Sequence, residues 1–352
     1  MADTTGDIRI EARPYKPSWI DRFTDWVEQL PMREWVFYVG LGLLLLAIQL
    51  LFLWWDGGLQ YGLLLPVIIF NALAIPNALA LVHLLDHQAV TALNAMRPTL
   101  AITEPEFDDL RYRLSTMPSA PTFIVGLTLV VLLIVTERLG AVPLRYAALD
   151  HLPIFRVVYH LIDKSIPFVF GPFVYHSVAQ LRLVDSIYSN HTRINLFDLR
   201  PLDAFSRLTA STAAGLALSV YGWMALNPEL LTDPVGLAGT VAFTILAVAV
   251  FVWPLAGAHR LMEAEKERML HDLDLQFEAV FAMLNQRVRD GDFSAMEPLN
   301  GTIASLEIEH SKIKAIPTWP WRPETLRSVL GVIALPPVVS AIQLVVERVL
   351  NR

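Results

Sequence analysis

The chain has 352 residues, of which 54% are hydrophobic and only 17% carry charge. Because soluble proteins carry charge on about a quarter of their residues, this composition indicates long apolar segments rather than two or three soluble domains. A net charge of -7 without a basic stripe excludes an electrostatic nucleic-acid-binding protein, and the absence of cysteine excludes disulfides and thiolate catalysis.

Apolar runs of about 20 residues, the length that crosses the hydrocarbon core of a bilayer, recur along the chain. They predict an all-α, polytopic helical membrane protein with six to seven transmembrane helices and a cytoplasmic helical hairpin. The six predicted spans are Glu34 to Trp55, Tyr61 to Leu84, Pro121 to Thr136, Ile166 to Val184, Asp203 to Leu226 and Val235 to Leu255.

A seventh candidate span, Leu326 to Leu350, contains Pro336 and Pro337. Two adjacent prolines remove two backbone donors, so this segment either kinks within the bilayer or enters it and returns on the same side. At the other end of the chain, the first apolar run is too long for a signal-peptide core and no small-residue cleavage site follows it. We therefore expect the first run to remain as a membrane anchor.

These runs divide the chain into four regions. Residues 1–33 form a cytoplasmic N-terminal segment with an interfacial amphipathic helix, and residues 34–258 form a six-helix transmembrane domain. Residues 259–316 form a cytoplasmic antiparallel helical hairpin. Residues 317–352 combine an interfacial segment rich in Trp and Pro with a C-terminal membrane helix.

The distribution of positive charge predicts the orientation. Cytoplasmic loops of membrane proteins retain Lys and Arg. Of the 27 Lys and Arg residues, 21 lie before the first predicted span or in the connections after the second, fourth and sixth. The N-terminus is therefore predicted to lie in the cytoplasm.

The helix before the first span is amphipathic. Its apolar positions, at helical spacing, are Trp19, Phe23, Trp26 and Leu30. Its charged positions, on the other face, are Asp21, Arg22, Asp25 and Glu28. Such a helix is typical of the membrane surface, and the alternative is that it packs on loops of the protein itself.

The hairpin is predicted from two runs with 3,4 spacing that follow the sixth span. The first run consists of Leu270, Leu273, Phe277, Val280 and Leu284, and the second of Met296, Leu299, Ile303, Leu306, His310 and Ile313. A turn at Asp290, Gly291 and Asp292 separates them. Two amphipathic helices joined by a short turn pack against each other as an antiparallel pair.

A metal site is one hypothesis for the cytoplasmic ends of the spans. His83, Asp86 and His87 follow i, i+3, i+4 spacing, which places them on one face of a helix. His191 and His259 are predicted at the same depth. The alternative is that these histidines bond carbonyl groups or lipid headgroups.

Polar residues accompany helix breakers in two spans. Asn71 and Asn77 flank Pro76 in the second span, and His176 and Gln180 follow the prolines of the fourth. Asp163 and Lys164 stand at the mouth of the fourth span. Polar side chains inside a membrane normally face a bundle interior or a wet cavity, and broken helices expose carbonyls that coordinate ions. The alternative is a packing kink.

Trp319 and Trp321 are predicted to anchor the segment after the hairpin at the inner membrane interface, where tryptophan rings are favoured. The prolines beside them hold the chain extended. The alternative places both rings in the hairpin core.

Three segments together carry a resemblance: HTRINLFDLRPLDAFSRLTA at 191–210, HRLMEAEKERML at 259–270 and IPTWPWRPETLR at 316–327. They resemble a family of bacterial multi-pass membrane proteins of uncharacterised function. The resemblance implies a bacterial inner (cell) membrane setting and brings no catalytic or binding residues.

The sequence contains no phosphate loop, nucleophile elbow, zinc-protease helix or dinucleotide fingerprint. No catalytic residue and no cofactor are therefore predicted. The first hypothesis is a homo-oligomeric ion channel or other permeation protein for an ion or small solute. The second is a membrane-anchored sensor or scaffold whose hairpin binds a cytoplasmic protein, and the third is a metal-dependent membrane enzyme. The lipid bilayer is a partner in all three.

Overall fold

The computed structural model describes residues 13–58, 64–138, 151–191, 196–197, 200–226, 234–291, 294, 296–319, 324, 326–329 and 331. The regular structure of these residues is helical and they form no strand, which confirms the all-α prediction. The helices are α1 Trp19–Glu28, α2 Glu34–Trp55, α3 Leu65–Met96, α4 Glu104–Ser115, α5 Ser119–Arg138, α6 Pro153–His191, α7 Arg200–Leu226, α8 Pro234–Asp290 and α9 Met296–Lys314.

Four helical segments are long and apolar enough to cross a membrane. They are Glu34–Trp55 in α2, Leu65–Thr99 from α3 into the turn that follows it, Pro153–Asn190 in α6 and Thr244–Asp290 in α8. Ser119–Val135 in α5 is apolar but shorter. A count of six to seven spans stays a prediction, and most of the seventh candidate lies outside the described residues.

The tryptophans of α2 lie at the two ends of a candidate membrane span. Trp35 near the start of the helix is 61% exposed, and Trp54 and Trp55 at its end are 61% and 69% exposed. Trp54 lies 19 positions after Trp35, a distance of about 28 Å along a helix. This is close to the ~30 Å of the hydrocarbon core, at whose boundaries tryptophan is favoured.

The long helices pack in alternating directions. The α2 and α3 helices are antiparallel, because Tyr38 bonds His83 whereas Gln49 bonds the Ile68 carbonyl. By the same reasoning α7 is antiparallel to α3, because Gly215 packs on Leu81 whereas Asn77 bonds Ser219. The α8 helix runs parallel to α6, as Arg182 lies over Trp253 and Asp185 meets Gly257 one turn further on.

The prolines do not break the two spans that contain them. Pro76 lies inside the continuous 32-residue α3, and Pro167 and Pro172 lie inside the 39-residue α6. Of the two alternatives, these continuous helices favour the packing kink over helices that are broken within the span. Both helices extend beyond the predicted spans, since α3 continues past Leu84 to Met96 and α6 begins at Pro153.

The α1 helix packs on the protein through a partly polar face. Its buried residues are Ile20, Asp21, Thr24 and Val27, whereas Trp26 is exposed. Ser18 and Asp21 form a capping box at its start. Asp21, predicted on the charged face of the helix, is instead buried. Its carboxylate also accepts hydrogen bonds from the distant Met117 backbone amide.

The α8 and α9 helices pack together along the C-terminal half of α8. Leu273, Val280, Leu306 and Ile313 are buried between them. Gly291 follows α8 with a φ of +69°, a conformation in which a side chain would be strained. The Lys266 ammonium donates to the carbonyls of Lys314 and Ile316, so the end of α9 is held on α8.

Candidate functional site

A buried polar cluster joins α3 to α6 near the α1 end of the protein. The imidazole Nε2 of His176 donates to Asp86 Oδ1 at 2.5 Å. The Gln180 amide nitrogen donates to the same carboxylate oxygen and to the Leu114 carbonyl, at 3.2 and 2.7 Å. His176 and Gln180 lie one turn apart on α6, so helical spacing presents both to one carboxylate. The Gln180 amide oxygen is buried without a hydrogen-bond partner in the part of the chain described.

His83 lies one turn before Asp86 on α3 and bonds different partners. Its Nε2 is 3.1 Å from a carboxylate oxygen of Glu28 and 3.4 Å from one of Glu34. Its Nδ1 is 3.1 Å from the Tyr38 hydroxyl. A proton on Nε2 satisfies all of these contacts, because Nδ1 then accepts from the hydroxyl. His83 is buried, whereas the two carboxylates are about half exposed.

Asp21 extends the same cluster from α1. Both carboxylate oxygens are within hydrogen-bond distance of the Met117 amide, between α4 and α5, and one accepts from the Ser18 amide. Burial raises the pKa of Asp21 above its ordinary value, although these hydrogen bonds and the nearby His176 oppose the rise. The α1 helix is thus attached to the bundle through a buried carboxyl group.

A second polar position lies deeper, where α2, α3 and α6 pack together. The Asn71 side chain is 0% exposed, and neither its amide nitrogen nor its oxygen has a hydrogen-bond partner among the described residues. Gln49 is equally buried; its nitrogen bonds the carbonyls of Leu45 and Ile68, and its oxygen is unpaired within the described structure. Both amides lie near the same turn of α3.

The tryptophan boundaries of α2 place these amides near the middle of the span. Gly42 packs against Ala72, and Gln49 bonds Ile68, so Asn71 lies opposite the segment of α2 from Gly42 to Gln49. The centre of that segment is about ten residues, or roughly 15 Å, from the tryptophan at either end of α2. An unpaired amide at this depth lacks the water that satisfies it at a surface.

A charged pair on α6 lies at a similar depth. The Lys164 ammonium is 2.9 Å from the Asp163 carboxylate, and both side chains are mostly buried. The α3 and α6 helices run parallel, because Val67 and Ile68 pack in one cluster with Phe155 and Tyr159, and Asp86 contacts His176 further along both helices. Asp163 lies 13 positions before His176 and Asn71 lies 15 positions before Asp86, so the two are within about one turn of each other in height. Asp163 and Lys164, predicted at the mouth of a span, thus lie inside α6, about ten residues after its start.

The residues proposed to bind metal do not converge in the described structure. His87 is exposed, Asp86 bonds His176 and Gln180, and no group of three or more His, Asp or Glu side chains suited to a metal forms among the described residues. His259 lies elsewhere, with Nδ1 2.9 Å from the Thr318 carbonyl. The side chain of His191 is outside the described residues, and the metal hypothesis stays a prediction.

Two other sequence candidates have structural neighbours that the patterns did not indicate. Asn77 is exposed and donates to the Ser219 hydroxyl at 3.0 Å, so it links α3 to α7. Trp319 stacks on His259 with ring centroids 4.1 Å apart. Trp321 lies outside the described residues, and the interfacial role of both tryptophans stays a prediction.

The sequence analysis did not single out Gln49, Glu28, Glu34 or Tyr38 as site residues. One signal was present, because Gln49 is the single amide in the otherwise apolar run from Val36 to Trp55. The carboxylates and the tyrosine carried no such signal, since charged and aromatic residues are common where a helix leaves a membrane.

No protein-family model matches this chain, and no curated protein or solved structure is significantly similar to it. The fold and the polar clusters define its class: a helical protein with several helices suited to a membrane and with polar groups buried between them. The resemblance to bacterial membrane proteins stays a prediction.

Proposed function

We propose that the protein is a permeation protein that moves an ion or a small polar solute across a bacterial inner membrane. The observation that carries the proposal is the unpaired amide of Asn71, fully buried near the middle of a membrane-length helix. A buried polar group left without a partner costs about 1–3 kcal/mol. A transient partner that passes the site, such as an ion, a solute or water, accounts for an amide in that position.

The surroundings of Asn71 support this proposal. The unpaired oxygen of Gln49 lies near the same turn of α3, and the charged pair of Asp163 and Lys164 lies at a similar height on α6. Amide, carboxylate and ammonium groups together offer donors and acceptors to a hydrated or zwitterionic solute. Polar groups at this depth are expensive in a membrane and mark solute pathways.

The remaining parts of the proposal concern orientation and assembly. The Lys and Arg distribution supports a cytoplasmic N-terminus, with the hairpin of α8 and α9 on the same side. We also propose a homo-oligomer, supported by Gly222 on α7, where a side chain would meet no atom of the described structure within 4 Å. Small residues of this kind allow a second helix to approach closely.

Purified full-length protein in liposomes tests the function. Stopped-flow light scattering follows the reswelling of liposomes placed in potassium chloride, glycine or urea, which represent ions, zwitterions and neutral amides. We expect the wild type to reswell faster than protein-free liposomes in at least one solute. Rates equal to those of protein-free liposomes in all three would refute the proposal.

An Asn71→Leu variant separates a pathway role from a packing role. We expect this variant to lose at least tenfold in permeation rate while unfolding at the same temperature as the wild type or higher, because an unpaired amide is replaced by an apolar side chain of similar length. Asn94→Ala, an exposed asparagine on the same helix, is the matched control and should change neither quantity. A thermally destabilised Asn71→Leu protein with unchanged permeation would make Asn71 a packing residue.

A further inference from the structure

A series of titratable side chains leads from the surface at the α1 end into the protein. It begins at the half-exposed carboxylates of Glu28 and Glu34, both within hydrogen-bond or ion-pair distance of His83 Nε2. His83 and Asp86 share one face of α3, one turn apart. The series ends at the partly buried hydrogen bond between Asp86 and His176, of which His176 is the more deeply buried residue.

We propose that the Asp86–His176 pair is a proton-binding site, loaded from solution through Glu28, Glu34 and His83, whose occupancy controls permeation. This inference rests on the proposed function for its coupling to permeation, whereas proton binding itself can be tested without it. The ligand is a proton from bulk water, and no other reactant is required.

The proton balance follows from the geometry. With one proton between them, on His176 Nε2, the pair is a carboxylate and a neutral imidazole with a net charge of about minus one. Uptake of a second proton gives an imidazolium and a carboxylate with no net charge. Since Asp86 Oδ1 already accepts from His176 Nε2, the second proton adds to the Nδ1 atom of His176.

The groups around the pair come from five elements. Asp21 on α1 and His83 on α3 are close enough to influence the pair electrostatically. Glu28 on α1, with Glu34 and Tyr38 on α2, contact His83.

The remaining contacts of the pair are neutral. Gln180 on α6 donates to Asp86 and to the Leu114 carbonyl of α4. Gln180 is 1% exposed, and its amide oxygen has no hydrogen-bond partner among the described residues. Within the described structure this oxygen can accept a further hydrogen bond beside the pair, for example from a proton-carrying group.

Solid-state NMR of the full-length protein in lipid, with histidine labelled with ¹⁵N, tests proton binding directly. The His176 signal is identified by its loss in His176→Gln. In the wild type we expect this signal to change from neutral imidazole to imidazolium as the pH falls from 8 to 5. In Asp86→Asn we expect the same change to require a proton concentration at least tenfold higher. An Asp86→Asn signal that titrates like that of the wild type overturns the inference. Asp108→Asn, an exposed aspartate on α4, is the control and should leave the His176 signal unchanged.

Permeation rates in liposomes test the coupling. We expect the wild-type rate to change at least tenfold between pH 8 and 5, with the same midpoint as the His176 signal, and the rates of Asp86→Asn and His176→Gln to be independent of pH. His271→Gln, an exposed histidine on α8, should follow the wild type. Wild-type permeation that is independent of pH refutes the coupling and leaves the proposed function standing. If no solute permeates, the proposed function fails, and the NMR titration still decides whether the pair binds a proton.

Discussion

The carboxylate of Asp21 on α1 accepts a hydrogen bond of 3.1 Å from the backbone amide of Met117, 96 residues further along the chain. The same carboxylate closes the capping box with Ser18. One side chain therefore starts α1 and attaches it to the connection between α4 and α5.

We expect Asp21→Ala to lower the free energy of unfolding by about 2–4 kcal/mol. The loss combines a helix cap, worth about 1 kcal/mol, with a buried Met117 amide left without an acceptor, which costs about 1–3 kcal/mol. Thermal unfolding of the protein in detergent measures the change. Asp25→Ala, at an exposed position on the same helix, is the control and should change stability by less than about 0.5 kcal/mol. Equal effects of the two variants would contradict the attachment of α1 through Asp21.

The pH dependence of stability should also depend on Asp21. Burial raises its folded-state pKa above the unfolded value near 3.8. A group with a raised folded pKa contributes stability below the unfolded pKa and loses it as the pH rises through the folded pKa. We therefore expect the wild type to lose stability relative to Asp21→Asn as the pH rises from about 4, at up to roughly 1.4 kcal/mol per pH unit until the folded pKa is passed. Unfolding temperatures of both proteins across this range provide the measurement, and a constant difference would contradict the raised pKa.

The crossing of α5 and α6 depends on Gly126. A side chain built there would lie 2.6 Å from the Phe168 backbone carbonyl oxygen, which cannot rotate away as a side chain would. We expect Gly126→Ala to destabilise the protein by about 1–3 kcal/mol, the usual cost of overpacking. Gly40→Ala on α2 meets no atom within 4 Å and is the matched control, which should be neutral or slightly stabilising. Similar unfolding temperatures for both variants would show that α5 can move away from α6 at little cost.

The packing of α8 on α9 can be tested with two leucines on one helix. Leu273 is buried in the hairpin core, whereas Leu275 is half exposed. We expect Leu273→Ala to weaken the hairpin by about 2–4 kcal/mol, within the range for buried leucines. Hydrogen–deuterium exchange of the α9 amides should then become faster in this variant and stay unchanged in Leu275→Ala. Unchanged α9 exchange in both would mean that α9 does not depend on its contact with α8.

The amino-acid sequence by itself determined the elements whose signals are local. The predicted first span, Glu34 to Trp55, coincides with α2 because an uninterrupted apolar run reports directly on burial in an apolar medium. The four residues buried between α8 and α9, Leu273, Val280, Leu306 and Ile313, all belong to the runs with 3,4 spacing after His259, since helical periodicity alone selects one face. The prolines left a broken helix and a packing kink open in the sequence, and α3 and α6 continue through them because neighbouring helices can support such a kink.

The tertiary structure alone decided which polar residues meet. Spacing placed His83 and Asp86 on one face of α3, but a helix face is wide enough to contact two neighbours, and their partners are Glu28 and His176. Asn71 and Asn77 looked equivalent in sequence. Asn77 lies six positions after Asn71, which turns their side chains about 120° apart around the helix axis, so Asn71 is buried while Asn77 bonds Ser219 on α7. Local periodicity gives the direction of a side chain from its own helix, and only the packing of the helices determines what lies in that direction.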